Sequence, residues 1–236
     1  MSPFVLVHGA WHGGWCWARV TERLAAAGRR VFAPTLPGCG DRAAELSRDI
    51  GLATLSAEIS DLIEREDLRD VVLVGHSAAG AVVPAVAGRM ADRIRHLVFL
   101  DAHFLLPGER LLDLLPPEVA ERRRSAARAY DGGLSLPFPP PESLGVFDPI
   151  EAEWLADRLA PHPMRAFDDP IAADAVVPDD MAVSYVRCTD PLFPTVELSA
   201  QRARSRAGWR YSELVTGHDA MITAPGPLTN FLLELG

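Results

Sequence analysis

Three residues have side chains that could carry out catalysis: a serine, an aspartate and a histidine. Each lies just beyond a short apolar run. Ser77 follows the run Val71–Val74, within residues 75–80, GHSAAG. Small neighbours permit a tight strand-to-helix turn that exposes the serine hydroxyl, although Ala79 stands where a second glycine is more usual. We therefore predict that Ser77 is a nucleophile. A Gly/Ala-rich turn without chemistry is the alternative.

A serine hydroxyl attacks well at neutral pH only when a base and an orienting acid stand beside it. His218 comes directly after the last apolar run of the chain, and Asp190 follows the run before it. Loops at the carboxyl ends of parallel strands share one edge of a sheet, so these residues are expected to meet Ser77 there. Asp101, at another strand end, is the second choice for the acid. Asp219 is adjacent to His218 in sequence and is badly placed to bond its ring from behind.

The oxyanion that forms when a serine attacks a carbonyl needs backbone N–H donors, and Ala10 and Ala78 occupy the expected positions. The glycines of residues 7–15, VHGAWHGGW, let the backbone turn inward over a bound carbonyl. His8 and His12 are expected to hold this loop together by hydrogen bonds rather than to act as bases. They have no carboxylate or cysteine at metal-ligand spacing, and no nucleotide-binding glycine pattern is present, so we predict neither a metal nor a cofactor.

The elements that must position these residues alternate along the chain. Apolar, β-branched runs with helical patterns between them predict an α/β fold with a mostly parallel central sheet flanked by helices. The predicted strands are Phe4–Val7, Arg30–Ala33, Val71–Val74, His96–Leu100, Val183–Cys188 and Tyr211–Val215. The predicted helices are Trp17–Ala27, Leu55–Glu66 and Ala79–Met90.

The alternation stops between His103 and Asp180, where prolines separate helix-like pieces. These pieces are Leu111–Leu115, Glu118–Tyr130 and Ile150–Leu159. A structureless loop of this length is uncommon in a compact domain, so we predict a helical cap at 104–180, inserted into a core formed by 1–103 and 181–236. A mobile region over a site is the alternative. The apolar side chains of the segment fit a substrate pocket and the cap's own core equally well.

Composition narrows the class of protein. The 236 residues carry a formal net charge of −9, and the only basic run, Arg122–Arg124, is most simply a solvated helix face, so no nucleic-acid partner is expected. Three dispersed cysteines and an N-terminal strand in place of a signal peptide indicate a cytoplasmic protein. No apolar run reaches the roughly 20 residues of a membrane span. The oligomeric state stays open, with a homodimer through the cap as one alternative.

Five motifs together resemble the α/β-hydrolase superfamily. They are HGAWHGGWCW at 8–17, PTLPG at 34–38, GHSAAG at 75–80, LDA at 100–102 and TGHDAM at 216–221. The resemblance covers residues 3–103 and 181–236 and is nearest to the branch of salicylate-type plant methylesterases and hydroxynitrile lyases. It implies Ser77 as nucleophile, His218 as base, Asp190 as acid, and Ala10 and Ala78 as amide donors.

Two positions separate esterases from lyases in that branch. The lyases use a threonine after the first histidine and a lysine after the catalytic histidine, where this chain has Gly9 and Asp219. We therefore predict a cofactor-free hydrolase of small carboxylic esters. The alternatives are a thioesterase on the same triad, a hydroxynitrile-lyase-like or other non-hydrolytic enzyme, and a small-ligand binding protein. The residues predicted to contact substrate are Gly9, Trp11, His103 and Phe104.

Overall fold

The computed structural model describes all 236 residues. The strands of the protein are β1 (Phe4–Val7), β2 (Val31–Phe32), β3 (Val71–His76), β4 (Ile94–Leu100), β5 (Ser135–Leu136), β6 (His162–Pro163), β7 (Ala182–Cys188) and β8 (Arg210–Leu214). Six of them form a central sheet in the order β2-β1-β3-β4-β7-β8. Every pair in the central sheet is parallel. The carboxyl ends of all its strands therefore lie at one edge.

Helices cover the sheet. They are α1 (Ala18–Ala26), α2 (Leu52–Arg65), α3 (Val83–Arg89), α4 (Pro117–Asp131), α5 (Pro149–Ala156), α6 (Arg165–Asp168), α7 (Glu197–Ser205), α8 (Ala220–Thr223) and α9 (Pro225–Leu233). Side chains alternate between the two faces of a strand, so two apolar cores form. Phe4 and Leu6 of β1 enter one core, whereas Val5 and Val7 enter the other. This double burial explains why residues 4–7 of β1, 71–74 of β3 and 97–100 of β4 are continuous apolar runs.

All six predicted strands are present, with ends that differ by no more than three residues. The helix predicted at Ala79–Met90 forms as two pieces, a 3-10 turn at Ser77–Ala81 followed by α3. Pro84 falls in the first turn of α3, where a missing backbone N–H leaves no helical hydrogen bond unmade. No helix is both long and apolar enough to traverse a lipid bilayer.

Residues 104–180 contain α4, α5 and α6, in agreement with the predicted helical character of this segment. They also contain a small antiparallel pair, β5 with β6, which the sequence did not predict. Each of these strands has only two residues, too few to show the alternation that identifies a strand. The segment contacts the loop after β1, since Trp11 Nε1–H donates to the Leu136 carbonyl over 3.2 Å.

Candidate active site

Ser77 occupies a strained turn at the end of β3. Its φ of 53° lies in the left-handed region, which costs free energy for any residue with a Cβ and is typical of an exposed nucleophile. A Cβ on Gly75 would lie 2.8 Å from the Val83 side chain, and one on Gly80 would collide with the His103 carbonyl. Ala79 is buried without such a conflict. The second position that needs a glycine is therefore Gly80, which explains why alanine is tolerated at position 79.

Three side chains form a continuous hydrogen-bonded chain at this edge of the sheet. The Ser77 hydroxyl donates to His218 Nε2 over 2.9 Å, and His218 Nδ1–H donates to Asp101 Oδ2 over 2.7 Å. The pairing of Ser77 with His218 agrees with the sequence prediction. All three residues are buried, and this increases the strength of their electrostatic interactions. The geometry is that of a nucleophile, a base and an orienting acid.

Asp101 is held by groups that stabilise its negative charge. Its Oδ1 accepts hydrogen bonds from the Cys188 backbone N–H over 3.1 Å and from Arg187 Nη1 over 3.2 Å. Arg187 is itself buried, and its Nη2 donates to Glu197 over 3.0 Å. The carboxylate therefore keeps one oxygen for His218 and has the other satisfied by the neighbouring strand β7.

The prediction of Asp190 as the acid is wrong in this structure, and Asp101 takes its place. The Asp190 side chain is exposed and makes no hydrogen bond to His218, while its backbone N–H donates to the Thr216 carbonyl over 3.0 Å. Asp101 follows β4, the neighbour of the strand that carries Ser77. Both aspartates lie beyond strand ends, so chain order and strand position fit both of them. Burial and hydrogen bonding separate the two, since Asp101 is buried and bonded to His218 whereas Asp190 is exposed.

The loop after β1 lies directly against the nucleophile. A Cβ on Gly9 would lie 2.8 Å from the Ser77 Cβ, so glycine is needed for this close approach. The Ala10 N–H makes no hydrogen bond within the protein, which leaves it free for a ligand oxygen. Ala78 follows Ser77 at the start of the same turn. These placements suit the two backbone donors of an oxyanion hole, which stays a prediction for Ala10 and Ala78.

His8 and His12 hold this loop by hydrogen bonds. His8 Nδ1–H donates to the Gly9 carbonyl over 2.8 Å, and its Nε2 accepts from the Leu36 N–H over 3.0 Å. Burial lowers the pKa of His8 to about 4, so the ring is neutral. His12 Nδ1–H donates to the Ala10 carbonyl over 2.7 Å. Both rings thus fix the backbone that carries Ala10, and neither reaches Ser77.

His12 and Asp219 form a buried ion pair behind the triad. The distance from His12 Nε2 to Asp219 Oδ2 is 3.0 Å, and because both ring nitrogens face acceptors, the ring is an imidazolium. Burial by itself lowers the pKa of His12, but the charge of Asp219 and the two hydrogen bonds outweigh it and raise the pKa above its ordinary value. Burial likewise raises the pKa of Asp219, but the charge of His12, its hydrogen bond to Asp219 and the nearby rings of His76 and His218 together outweigh burial and lower the pKa.

We expect Asp219→Asn to lower the free energy of unfolding at pH 6 by about 3–5 kcal/mol, because it leaves a buried cation without its partner. The stabilisation from a raised histidine pKa is complete below the ordinary value of 6.5 and is lost as the pH rises through the folded value. The deficit of the variant is therefore expected to be smaller at pH 9 than at pH 6. Urea unfolding at both pH values measures it.

The matched control is Asp190→Asn, which neutralises an exposed aspartate and is expected to change the free energy of unfolding by less than about 0.5 kcal/mol. A deficit for Asp219→Asn that stays the same from pH 6 to pH 9 would show that the ion pair does not stabilise the fold.

One group of side chains is close enough to share a metal ion. Potential ligand atoms of His76, His218 and Asp219 lie within 4.8 Å of one another. His218, however, uses both ring nitrogens within the triad, and His76 Nε2–H donates to the His218 carbonyl over 3.1 Å. Burial and the neighbouring His218 hold the pKa of His76 well below its ordinary value. A metal there would displace the base from the nucleophile.

The four predicted substrate contacts have different environments. Gly9 and Trp11 belong to the loop beside Ser77, and the His103 N–H donates to the Ser77 carbonyl over 3.0 Å. Burial, with the charges of His218 and Arg123, lowers the pKa of His103 to about 3, so its ring is neutral. The prediction that Phe104 contacts substrate is wrong, because its ring packs into the core. The centre of the ring lies 4.7 Å from that of Trp209 and 5.7 Å from that of Phe99.

A cavity of about 330 Å³ lies next to the site; no triad residue lines it, but two residues that border the triad, Trp11 and Phe193, do. Trp11 forms one wall, and Phe193 forms another while its ring stacks on His218 with 3.7 Å between ring centroids. Leu144 also lines it and accepts the Asp219 N–H through its carbonyl. Phe138, one of the apolar side chains of residues 104–180, lines the cavity too. Phe193 was not predicted, because a stacking contact leaves no sequence signature.

Comparison with known proteins agrees with this geometry. The alpha/beta hydrolase family matches residues 4–229. The chain is 35% identical over 244 residues to the carbendazim hydrolyzing esterase of Nocardioides sp. (strain SG-4G), with all of both chains covered. It is 29% identical to the pFDCC methylesterase MES16 of Arabidopsis thaliana, covering 98% of this chain and 93% of the relative. An extracellular alpha/beta-hydrolase from a Paenibacillus species superposes with a TM-score of 0.88 at 23% identity, covering 100% and 99% of the two chains.

The chain therefore belongs to the alpha/beta hydrolase family. The predicted resemblance to its methylesterase branch is confirmed. With a Ser-His-Asp triad in place and esterases among the relatives that match nearly its full length, the chain is a carboxylic ester hydrolase.

Proposed function

We propose that the protein hydrolyses small carboxylic esters through an acyl-enzyme on Ser77, with His218 as base and Asp101 as the orienting acid. The single observation that carries this assignment is the hydrogen-bonded chain from the Ser77 hydroxyl through His218 to Asp101. Such a chain increases the nucleophilicity of the hydroxyl and stabilises the imidazolium that forms when the proton moves.

In the first half-reaction Ser77 Oγ attacks the ester carbonyl carbon while its proton moves to His218 Nε2. The carbonyl oxygen becomes an oxyanion, and the N–H groups of Ala10 and Ala78 are proposed to bind it. His218 then gives the proton to the alcohol oxygen as the ester C–O bond breaks. In the second half-reaction a water gives a proton to His218 and attacks the acyl carbon. The bond between Ser77 Oγ and the acyl carbon then breaks while His218 returns the proton to Oγ, which releases the carboxylic acid and restores Ser77.

The surroundings of the triad support hydrolysis over lyase chemistry. Gly9 offers no hydroxyl beside Ser77, and the residue after His218 is an aspartate. Asp219 is completely buried and bonded to His12, so it supplies no cation to stabilise a departing anion at His218.

Residues 104–180 are proposed to act as a cap over the site. Two observations support this. The segment supplies Leu136, Phe138 and Leu144 to the cavity beside the triad. It also binds the loop after β1, where the Ala160 N–H donates to the Trp11 carbonyl over 2.9 Å. A cytoplasmic location is proposed on the three free, buried cysteines, which are typical of a reducing compartment.

Labelling with a fluorophosphonate tests the nucleophile. We expect mass spectrometry to find one phosphonyl group, attached to Ser77, because such probes react with an activated serine hydroxyl. Ser77→Ala is expected to remain unlabelled. Ser125→Ala, which changes an exposed serine on α4, is expected to label like the wild type. Ester hydrolysis by a protein that labels at another residue, or not at all, would overturn the assignment.

A further inference from the structure

Arg123 stands on the buried face of α4. Ala120 and Ala127, three residues before it and four residues after it, are both buried, and this spacing places all three side chains on one side of the helix. The sequence predicted a solvated face for Arg122–Arg124, and this is wrong for Arg123, which is half-buried. A charged group on the inward face of a helix is costly unless something compensates its charge.

No carboxylate of the protein compensates it. Arg124, the next residue, pairs with Asp168 over 2.8 Å, and Arg128 pairs with Glu121, whereas Arg123 makes no ion pair and no side-chain hydrogen bond. Burial lowers the pKa of Arg123, and the positive charge of Arg122 lowers it further. In the active site, the positive charge of Arg123 helps to lower the pKa of His103, whose ring is neutral and supplies no counter-charge.

The guanidinium instead faces aromatic rings and the cavity beside the triad. Its carbon lies 6.0 Å from the centre of the Trp11 ring and 5.7 Å from that of Phe167. Arg122 and Arg123 both line the cavity, and no acidic residue does. In a chain with a net charge of −9, this is a locally positive and otherwise largely apolar chamber.

We propose that Arg123 binds a carboxylate carried by the substrate, so that the preferred ester has an apolar or aromatic body with a negatively charged group away from the scissile bond. This inference rests on the proposed function. Arg123 presents N–H donors that pair with both oxygens of a carboxylate, and the Trp11 ring beside it packs against the apolar body. The carboxylate supplies the counter-charge that the protein lacks at this position.

Two pairs of esters test the proposal and show which side of the ester bond carries the charge. Monomethyl terephthalate against methyl 4-methylbenzoate places the carboxylate on the acyl side. In the second pair, the comparison of 4-acetoxybenzoate with 4-methylphenyl acetate places the carboxylate on the alcohol side. In at least one pair, Arg123→Gln is expected to lower kcat/KM for the charged ester by about 10- to 100-fold, mainly through KM, as expected for hydrogen bonds to a charged group.

The neutral ester of the same pair is expected to change by less than about threefold, because it makes no ionic contact with Arg123. Arg123→Lys, which keeps the charge but not the paired donors, is expected to restore part of the loss. The matched control is Arg128→Gln, which removes an exposed arginine from the same helix. It is expected to behave like the wild type with all four esters.

The outcomes separate this inference from the function on which it rests. Equal effects of Arg123→Gln on charged and neutral esters, or no effect in either pair, would overturn the carboxylate site while ester hydrolysis stands. A wild-type protein that hydrolyses none of the four esters and is not labelled at Ser77 would overturn the proposed function, and the carboxylate site with it.

Discussion

Replacing Ser77 by alanine is expected to lower kcat for p-nitrophenyl acetate by about 10⁵- to 10⁶-fold, because no other group can form the acyl-enzyme. The methyl side chain keeps the Cβ that packs against Gly9 and loses only the hydroxyl. We therefore expect the fold to persist, with a thermal midpoint within a few degrees of the wild type. Release of p-nitrophenol at saturating substrate, followed by absorbance, measures the effect.

Ser125→Ala is the control for this measurement, since it removes a hydroxyl from an exposed position on α4. Its kcat is expected to equal that of the wild type. If Ser77→Ala retained more than about 1% of wild-type kcat, catalysis would not proceed through Ser77, whatever the distance to His218.

Replacing Asp101 by asparagine is expected to lower kcat by about 10⁴-fold, the size of effect seen when the acid of such a triad becomes an amide. The amide N–H can donate a hydrogen bond to His218 Nδ1, which favours the tautomer with the proton on Nε2, and that tautomer cannot accept the Ser77 proton. It also removes the negative charge that stabilises the imidazolium. The measurement is kcat across the pH range, with circular dichroism to show that the variant is folded.

Asp190→Asn is the decisive comparison, because the two aspartates compete for one role. The exposed side chain of Asp190 makes no contact with the ring, so we expect kcat to change by less than about threefold. The reverse pattern, with Asp190→Asn inactive and Asp101→Asn active, would show that the working enzyme uses the acid that the sequence favoured.

Much of the fold was predictable from local patterns. Buried parallel strands must be continuous apolar runs, so β1, β3, β4 and β7 are recognisable without any tertiary information. The divided helix after Ser77 and the short pair β5 and β6 were not predictable. A 3-10 turn has no distinct sequence pattern, and a strand of two residues has no periodicity.

The nucleophile and the base were determined by the sequence alone. The small residues around Ser77 are required by the backbone of a strained turn. His218 comes just after the last strand, and a residue in that position lies at the carboxyl edge of a parallel sheet, as Ser77 does. These constraints act over a few residues, which is why they can be read along the chain.

The acid, the ion pair and the direction of Arg123 were decided only by the tertiary structure. Asp101 is 117 residues from His218, and Asp219 meets His12 across 207 residues. Strand order brings several carboxylates to one edge of the sheet, but side-chain direction and the donors of Arg187 and Cys188 select one of them. Arg123 likewise belongs to a charged run whose local pattern indicates solvent, and only the packing of α4 turns it toward the cavity beside Ser77.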